Sequence, residues 1–226
     1  MRKLFLAMAL VGICFVFTCS IAQAQTELVI QSGAVTDVFS SVGGAINQLN
    51  LTVNGWHIAS VSGVSNTPVL EPGFGILQGS VVVSCSNATC EGTTLSIAFS
   101  SINFTQTAAG FYSSYSATET GGSTSQKAWI DAGNSYLGTG SFIGELTFSG
   151  KIPGFLTNTL TGGGPAGPSP YSLTILDSFT TAAGTPATFT TQGFVSATPE
   201  PTSMFLMGTG LLAMGGLLRR RLAARI

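Results

Sequence analysis

The stretch Leu49-Asn50-Leu51-Thr52-Val53-Asn54-Gly55-Trp56-His57-Ile58-Ala59-Ser60-Val61 decides the fold class. Its first five residues alternate apolar and polar. Asn54-Gly55 suits a two-residue hairpin turn, in which both central residues need positive φ. Trp56 to Val61 then reads as the returning strand. A period of two around a tight turn predicts an antiparallel pair.

The same pattern runs outward in both directions. Upstream, Thr26 to Gln31 is a compact strand candidate. Val35, Val38, Phe39, Val42, Ile46 and Leu49 approach helical spacing, but Gly43-Gly44 sits inside the pattern. Downstream, Ser80 to Cys85 and Thr93 to Phe99 read as strands. Parity breaks at Ser100-Ser101 and resumes at Ile102 and Phe104, which predicts a bulge or strand break there. Phe111 to Thr120, Lys127 to Ile130, Phe142 to Phe148, Tyr171 to Phe179 and Ala187 to Val195 complete the set. In the second last, Asp177 interrupts the apolar face. Asn66 to Gly75 and Gly162 to Pro170 are loops rich in Gly and Pro. Nine or ten short strands with Gly, Ser and Asn between them point to an all-β fold, an antiparallel β-sandwich or jelly roll.

Composition narrows the function. Only 8% of the 226 residues are charged, against about 25% in an ordinary soluble domain. All five arginines lie at the two ends of the chain. Between Ala24 and Thr198, Lys127 and Lys151 stand against eight carboxylates. With no basic patch, nucleic acid is excluded as a partner.

Met1-Arg2-Lys3, the apolar run Leu4 to Cys19 and the small-x-small pattern Ala22-Gln23-Ala24 read as a cleavable signal peptide. Residues 1–24 are then removed by signal peptidase after Sec-type export, and Gln25 begins the mature chain. Cys14 and Cys19 leave with that segment. Cys85 and Cys90 remain, and an exported chain permits them to form a disulfide across a tight loop.

The C-terminal segment has three parts in order. Thr198-Pro199-Glu200-Pro201 is extended and accessible, because its prolines oppose a helix. Thr202 to Leu218 is 17 uncharged residues, about 25 Å as a helix and near the lower limit for a bilayer core. Arg219, Arg220 and Arg221 would stop that helix on the cytoplasmic side, within a basic tail 219–226. This arrangement resembles the PEP-CTERM sorting signal of Gram-negative bacteria. The resemblance covers residues 198–226 and implies an exosortase, an integral-membrane cysteine protease, as processing partner. It implies a transient membrane anchor and a final location at the cell surface or outside the cell. Members of that family often serve exopolysaccharide or biofilm production. It implies nothing about the exported domain, residues 25–197.

Within that domain the sequence offers little chemistry. His57 is the single histidine and sits in a strand. Asp131, Glu145, Glu119 and Asp177 are the carboxylates a glycosidase would need, but no spacing pairs them. No residue is singled out as catalytic or metal-binding, and no cofactor is expected. Aromatic residues among Ser, Thr and Asn can stack on sugars. Phe111, Tyr112, Tyr115 and Trp129 are the candidate glycan contacts. The expected function is therefore a non-enzymatic component of an exopolysaccharide or biofilm matrix, with a secreted carbohydrate-binding module as the alternative and a secreted hydrolase third.

Overall fold

The computed structural model describes residues 25–66, 76–105, 107–150, 152–162, 164, 170–198 and 209. Twelve strands form two antiparallel sheets. They are β1 (Gln25–Ser32), β2 (Val35–Val42), β3 (Ala45–Val53), β4 (Trp56–Ser65), β5 (Ile76–Cys85), β6 (Thr94–Phe104), β7 (Gly110–Glu119), β8 (Ser123–Asp131), β9 (Ser141–Ser149), β10 (Ile152–Gly162), β11 (Tyr171–Thr180) and β12 (Ala187–Thr198). Sheet I has the order β2-β1-β6-β11-β8-β9, and sheet II has β10-β7-β12-β5-β4-β3. The fold is a two-sheet sandwich. Strands β2/β3, β5/β6, β7/β8, β9/β10 and β11/β12 are neighbours in sequence and contact one another across the interior.

The opening hairpin forms as its sequence dictates. Asn54 and Gly55 both have positive φ, 45° and 82°, and Val53 pairs with Trp56. Trp56 is fully buried, packs near Phe189 at 6.1 Å between ring centroids, and donates to the Thr93 hydroxyl. The turn docks on the loop closed by the disulfide: Asn87 Nδ2 donates to the Gly55 carbonyl. Cys85 and Cys90 are paired, at a Cα separation of 5.8 Å.

The apparent helical spacing of 35–49 resolves into two edge strands. Gly43 and Gly44 are the corner at which the chain passes from sheet I to sheet II, with φ of 143° and 76°. The break expected at Ser100-Ser101 lies slightly later. Ser101 still pairs regularly with both neighbours, and the register against β11 slips between Ser101 and Phe104. Asn103, at φ 69°, takes up the extra residue. In β9, a bulge opposite Ala128 and Trp129 turns Phe142 outward while Ile143 and Leu146 face in. The alternation read from Phe142 therefore holds only from Gly144 onward.

At the centre of sheet II, Gly63, Gly79 and Gly193 lie in one cross-strand row facing the interior. Phe99 of sheet I lies over the first two: a Cβ on Gly79 would come within 2.6 Å of its ring, and one on Gly63 within 2.4 Å. The side-chain amide of Gln126 occupies the space above Gly193. Gln126 donates to Asp177 at 3.3 Å and accepts from Ser113 at 3.1 Å. The Tyr115 hydroxyl pairs with that of Thr124 beside them. This polar layer separates the main apolar core from a smaller cluster of Tyr115, Ala117 and Leu146.

Two carboxylates are interred here. Asp177 is fully buried, and burial pushes its pKa up from 3.8 to about 7, opposed by the Gln126 bond. Burial also raises Glu119 from 4.5 to about 7. Neither Glu119 oxygen has a hydrogen-bond partner among the described residues. A carboxyl that holds its proton more tightly when folded favours the folded state most at low pH.

Two outcomes follow from this packing. Gly79→Val should destabilise by about 1–3 kcal/mol in a denaturant titration, and adding Phe99→Leu should recover part of that loss. Stability should decline as pH rises from about 4 to about 7, on the order of a few kcal/mol in all. Asp177→Asn, which cannot titrate, should flatten that slope in thermal melts taken across the range.

Candidate functional site

The outer face of sheet I carries a cleft of about 190 Å³. Its floor is laid down by cross-strand rows. Val29, Ala98 and Leu176 lie side by side on β1, β6 and β11, and Gln31 and Ser96 form the next row. Thr174 pairs with Trp129 at one flank. Trp129 is half-buried and tilts against Phe142, 5.6 Å between ring centroids. Phe142 is 52% exposed, so the pair presents an aromatic edge to solvent. Leu137 and Thr139, from the β8–β9 connection, form the wall.

That connection is held down by hydrogen bonds. Asp131 closes its start, accepting from the Ser135 hydroxyl and from the Gly133 amide. These bonds hold the Asp131 carboxyl below the usual carboxylate range. Gly138 and Gly140 pack against the same carboxylate, where a Cβ would come within 2.3 and 2.8 Å of it. Asn134 bonds the Asn103 bulge from both ends of its amide, at 2.7 and 2.9 Å. The Leu137 amide donates to Ser100 Oγ, and the Tyr136 hydroxyl donates to Gln25. The wall is thus fixed to β1 and β6 before any ligand arrives, which lowers the ordering cost of binding.

The four candidate glycan contacts separate sharply. Trp129 lines the cleft. Tyr112 is half-buried on the outer face of sheet II, 5.6 Å from the Phe194 ring. Phe111 and Tyr115 are corrected: they are 1% and 0% exposed, and their rings point into the sandwich. Phe111 packs edge-on against Tyr171, and Tyr115 lies tilted against Phe148. Alternation puts residues 111, 113 and 115 on the inner face of β7 and Tyr112 on the outer one.

The carboxylates disperse as well. Asp131 serves its loop, Glu145 pairs with Lys127 at 3.8 Å, and Glu119 and Asp177 lie inside. None lines the cleft. His57 is exposed on β4. Among the described residues no three His, Cys, Asp or Glu side chains gather to hold a metal ion.

Sequence reading missed the cleft's floor and wall. Leu137 and Thr139 lie in a stretch without periodicity, and Val29, Ala98 and Leu176 meet only through long-range register. A signal was present in Asp131-Ala132-Gly133-Asn134, an Asx-type turn that starts two residues after Trp129.

Gln25 is the first residue of β1 and pairs with Val42 and Ile102. Ala22 and Ala24 lie outside the described residues, as do Pro199, Glu200, Pro201, Arg219, Arg220, Arg221 and the apolar run 202–218 apart from Thr209. Among the described residues no helix is long and apolar enough to cross a membrane. Thr198, assigned to the tail from sequence, is the last residue of β12, paired with Gly110.

No curated protein matches the chain. Solved structures share a loose likeness. The enzymatically active domain of bacteriophage CBA120 tailspike protein 4 is 12% identical over 74% of this chain, with a TM-score of 0.34, and the chain spans 19% of that protein's length. The K1 cleaved adhesin domain of Lys-gingipain from Porphyromonas gingivalis is 10% identical, covering 70% of this chain and 100% of its own, at a TM-score of 0.33. A carbohydrate-binding module of Cellvibrio mixtus lichenase 5A, in complex with cellotriose, is 12% identical over 63% of this chain and 90% of its own, at 0.27. Likeness of this degree says nothing of what the present chain binds. The tail is specific: residues 197–221 match the PEP-CTERM protein-sorting motif, so the sandwich carries a PEP-CTERM sorting tail that begins within its last strand.

Proposed function

We propose that this protein is an exported, non-enzymatic component of the cell surface or of an exopolysaccharide matrix of a Gram-negative bacterium, held briefly in the membrane and released by an exosortase. The observation that carries this reading is the sorting motif over residues 197–221. The weak charge of the sandwich and its disulfide suit life outside the cell. None of Asp131, Glu145, Glu119 and Asp177 lines the Trp129 cleft, which weighs against a glycosidase reading of it.

A second reading is favoured by one feature, the Trp129 cleft. Its lining is uncharged and mainly apolar, with hydroxyls and one amide at the margin. Such a surface suits the C–H face of a neutral sugar ring, with hydroxyl partners along its rim. In this reading the sandwich binds the polysaccharide among which it is deposited.

Mass spectrometry of the mature protein from wild-type cells should find a C-terminus upstream of Arg219. A mature chain still carrying Arg219 to Arg221 would mean a permanent anchor. For the cleft, Trp129→Ala should weaken retention on a neutral polysaccharide on the order of tenfold, without change in melting temperature. Tyr115→Ala, in the core, should lower the melting temperature instead. Equal retention of the Trp129→Ala and wild-type proteins would remove the cleft from consideration.

A further inference from the structure

The sandwich has four edge strands, and three of them are guarded. On β10, Pro153 removes a backbone donor, and the register slips between Ile152 and Leu156. On β9, a bulge interrupts the ladder, and Glu145 places a charge at the edge. These two strands also pack on each other, with Leu160 over Gly144 and Gly162 against the Ile143 carbonyl. On β3, Asn50 adopts φ 55° and drops out of the pairing with β4. Bulges, prolines and charges of this kind keep an edge from templating another strand.

Strand β2 has neither a bulge nor a proline, and its guard is reduced to one acidic side chain on the inner face, opposite Ile30. All eight of its residues pair in unbroken register with β1. It contains no proline and no lysine, and its one charge is Asp37. Val35, Val38 and Val42 are 45%, 59% and 66% exposed. Its free side presents a regular row of backbone donors and acceptors, bonded to water in a single copy, that another extended strand can pair with in register.

We propose that β2 pairs with β2 of a second copy of this chain, antiparallel about a two-fold axis at Val38. A two-fold axis normal to the sheet keeps residues of one face together, so only registers related by two residues are open. Centred on Val38, the pairing sets Val38 against Val38, Thr36 against Ser40, and Asp37 against Phe39. Centred on Asp37, it would set two carboxylates opposite each other. A strand this poor in charge meets its own copy without repulsion, and the isologous contact closes on itself.

The consequence reaches the Trp129 cleft. Val38 continues the row Val29, Ala98 and Leu176 that forms the cleft's floor. Pairing through β2 joins the two copies of sheet I into one surface with both clefts on the same side. At about 4.8 Å per strand they stand roughly 30 Å apart. A pair of clefts at that spacing would engage one long polymer twice, and avidity then exceeds the affinity of either. This last step rests on the second reading above; the pairing itself does not.

The test uses the exported protein from cells expressing the full chain. Directly opposed Cα atoms in an antiparallel pair lie about 4.5–5.5 Å apart, within reach of a disulfide. Val38→Cys should give a reducible covalent dimer on a non-reducing gel. Leu49→Cys, on the guarded edge β3 and 58% exposed, should not. Val38→Lys brings two like charges together at the axis and should weaken self-association at least tenfold by sedimentation equilibrium, with the melting temperature unchanged. A wild-type protein that stays monomeric up to hundreds of micromolar, or Val38→Cys that crosslinks no faster than Leu49→Cys, would overturn the proposal. Dimerisation without any difference in polysaccharide retention between wild type and Val38→Lys would leave the pairing standing and overturn the two-cleft engagement, while the cleft itself stands or falls with Trp129→Ala.

Discussion

Two sheets can close on each other only where side chains leave room, and in this sandwich the room is made by a row of three glycines. Gly63, Gly79 and Gly193 remove every Cβ from the middle of sheet II, and Phe99 and Gln126 descend into the space. The first contact is apolar and sets the approach of β6 to β4 and β5. The second is polar and fixes β8 and β11 over β12. Once Gln126 lies over Gly193, its amide must be satisfied, and Ser113 and Asp177 do so from opposite sheets. A slip of one residue in any of these strands would replace a glycine by a side chain or turn Gln126 out to solvent. The glycine row therefore specifies register as much as it permits packing.

The polar layer carries an energetic cost that the apolar core must offset. Burial favours the neutral form of Asp177, which has one oxygen bonded, and of Glu119, which among the described residues has neither. An apolar residue at position 177 would have no such need. What Asp177 contributes is a directional bond to Gln126, available in one register only. Its retention here fits specificity of pairing better than stability.

Much of this was legible in the sequence, and the losses have physical causes. The Asn54-Gly55 hairpin, the disulfide loop and the inward parity of Asp177 follow from local rules, because turn dihedrals and a period of two are properties of short stretches. Strand β2 was obscured because its apolar residues lie on both faces of an exposed edge, so no single period describes them. Strand β10 was hidden by Pro153 and Gly154 at its start. The break in parity before Ile102 announced the bulge at Asn103 but placed it early, and the bulge at Ile143 went unread, because the point of each slip is set by the partner strand. Phe111 and Tyr115 were mistaken for surface aromatics for a related reason. Serines on both faces of β7 erase the contrast that would have told inside from outside, and Ser113 and Ser114 are both buried. Trp129 survived because its neighbours Ala128 and Ile130 are apolar enough to claim the interior.

The tail and the sandwich meet at one end of the fold. Gln25 begins β1 beside Ile102, and Thr198 ends β12 beside Gly110, so the first and last strands start and finish where β6 passes to β7. The disulfide, the Asn54-Gly55 turn and the starts of β6, β8 and β12 lie at the other end. Strand β12 lies inside sheet II and is bonded on both sides, and the Thr198 carbonyl accepts a further bond from Ala109. No linker separates this strand from Pro199. Residues 197–221 match the sorting motif, so the motif starts on a strand that the sheet holds in place from both sides.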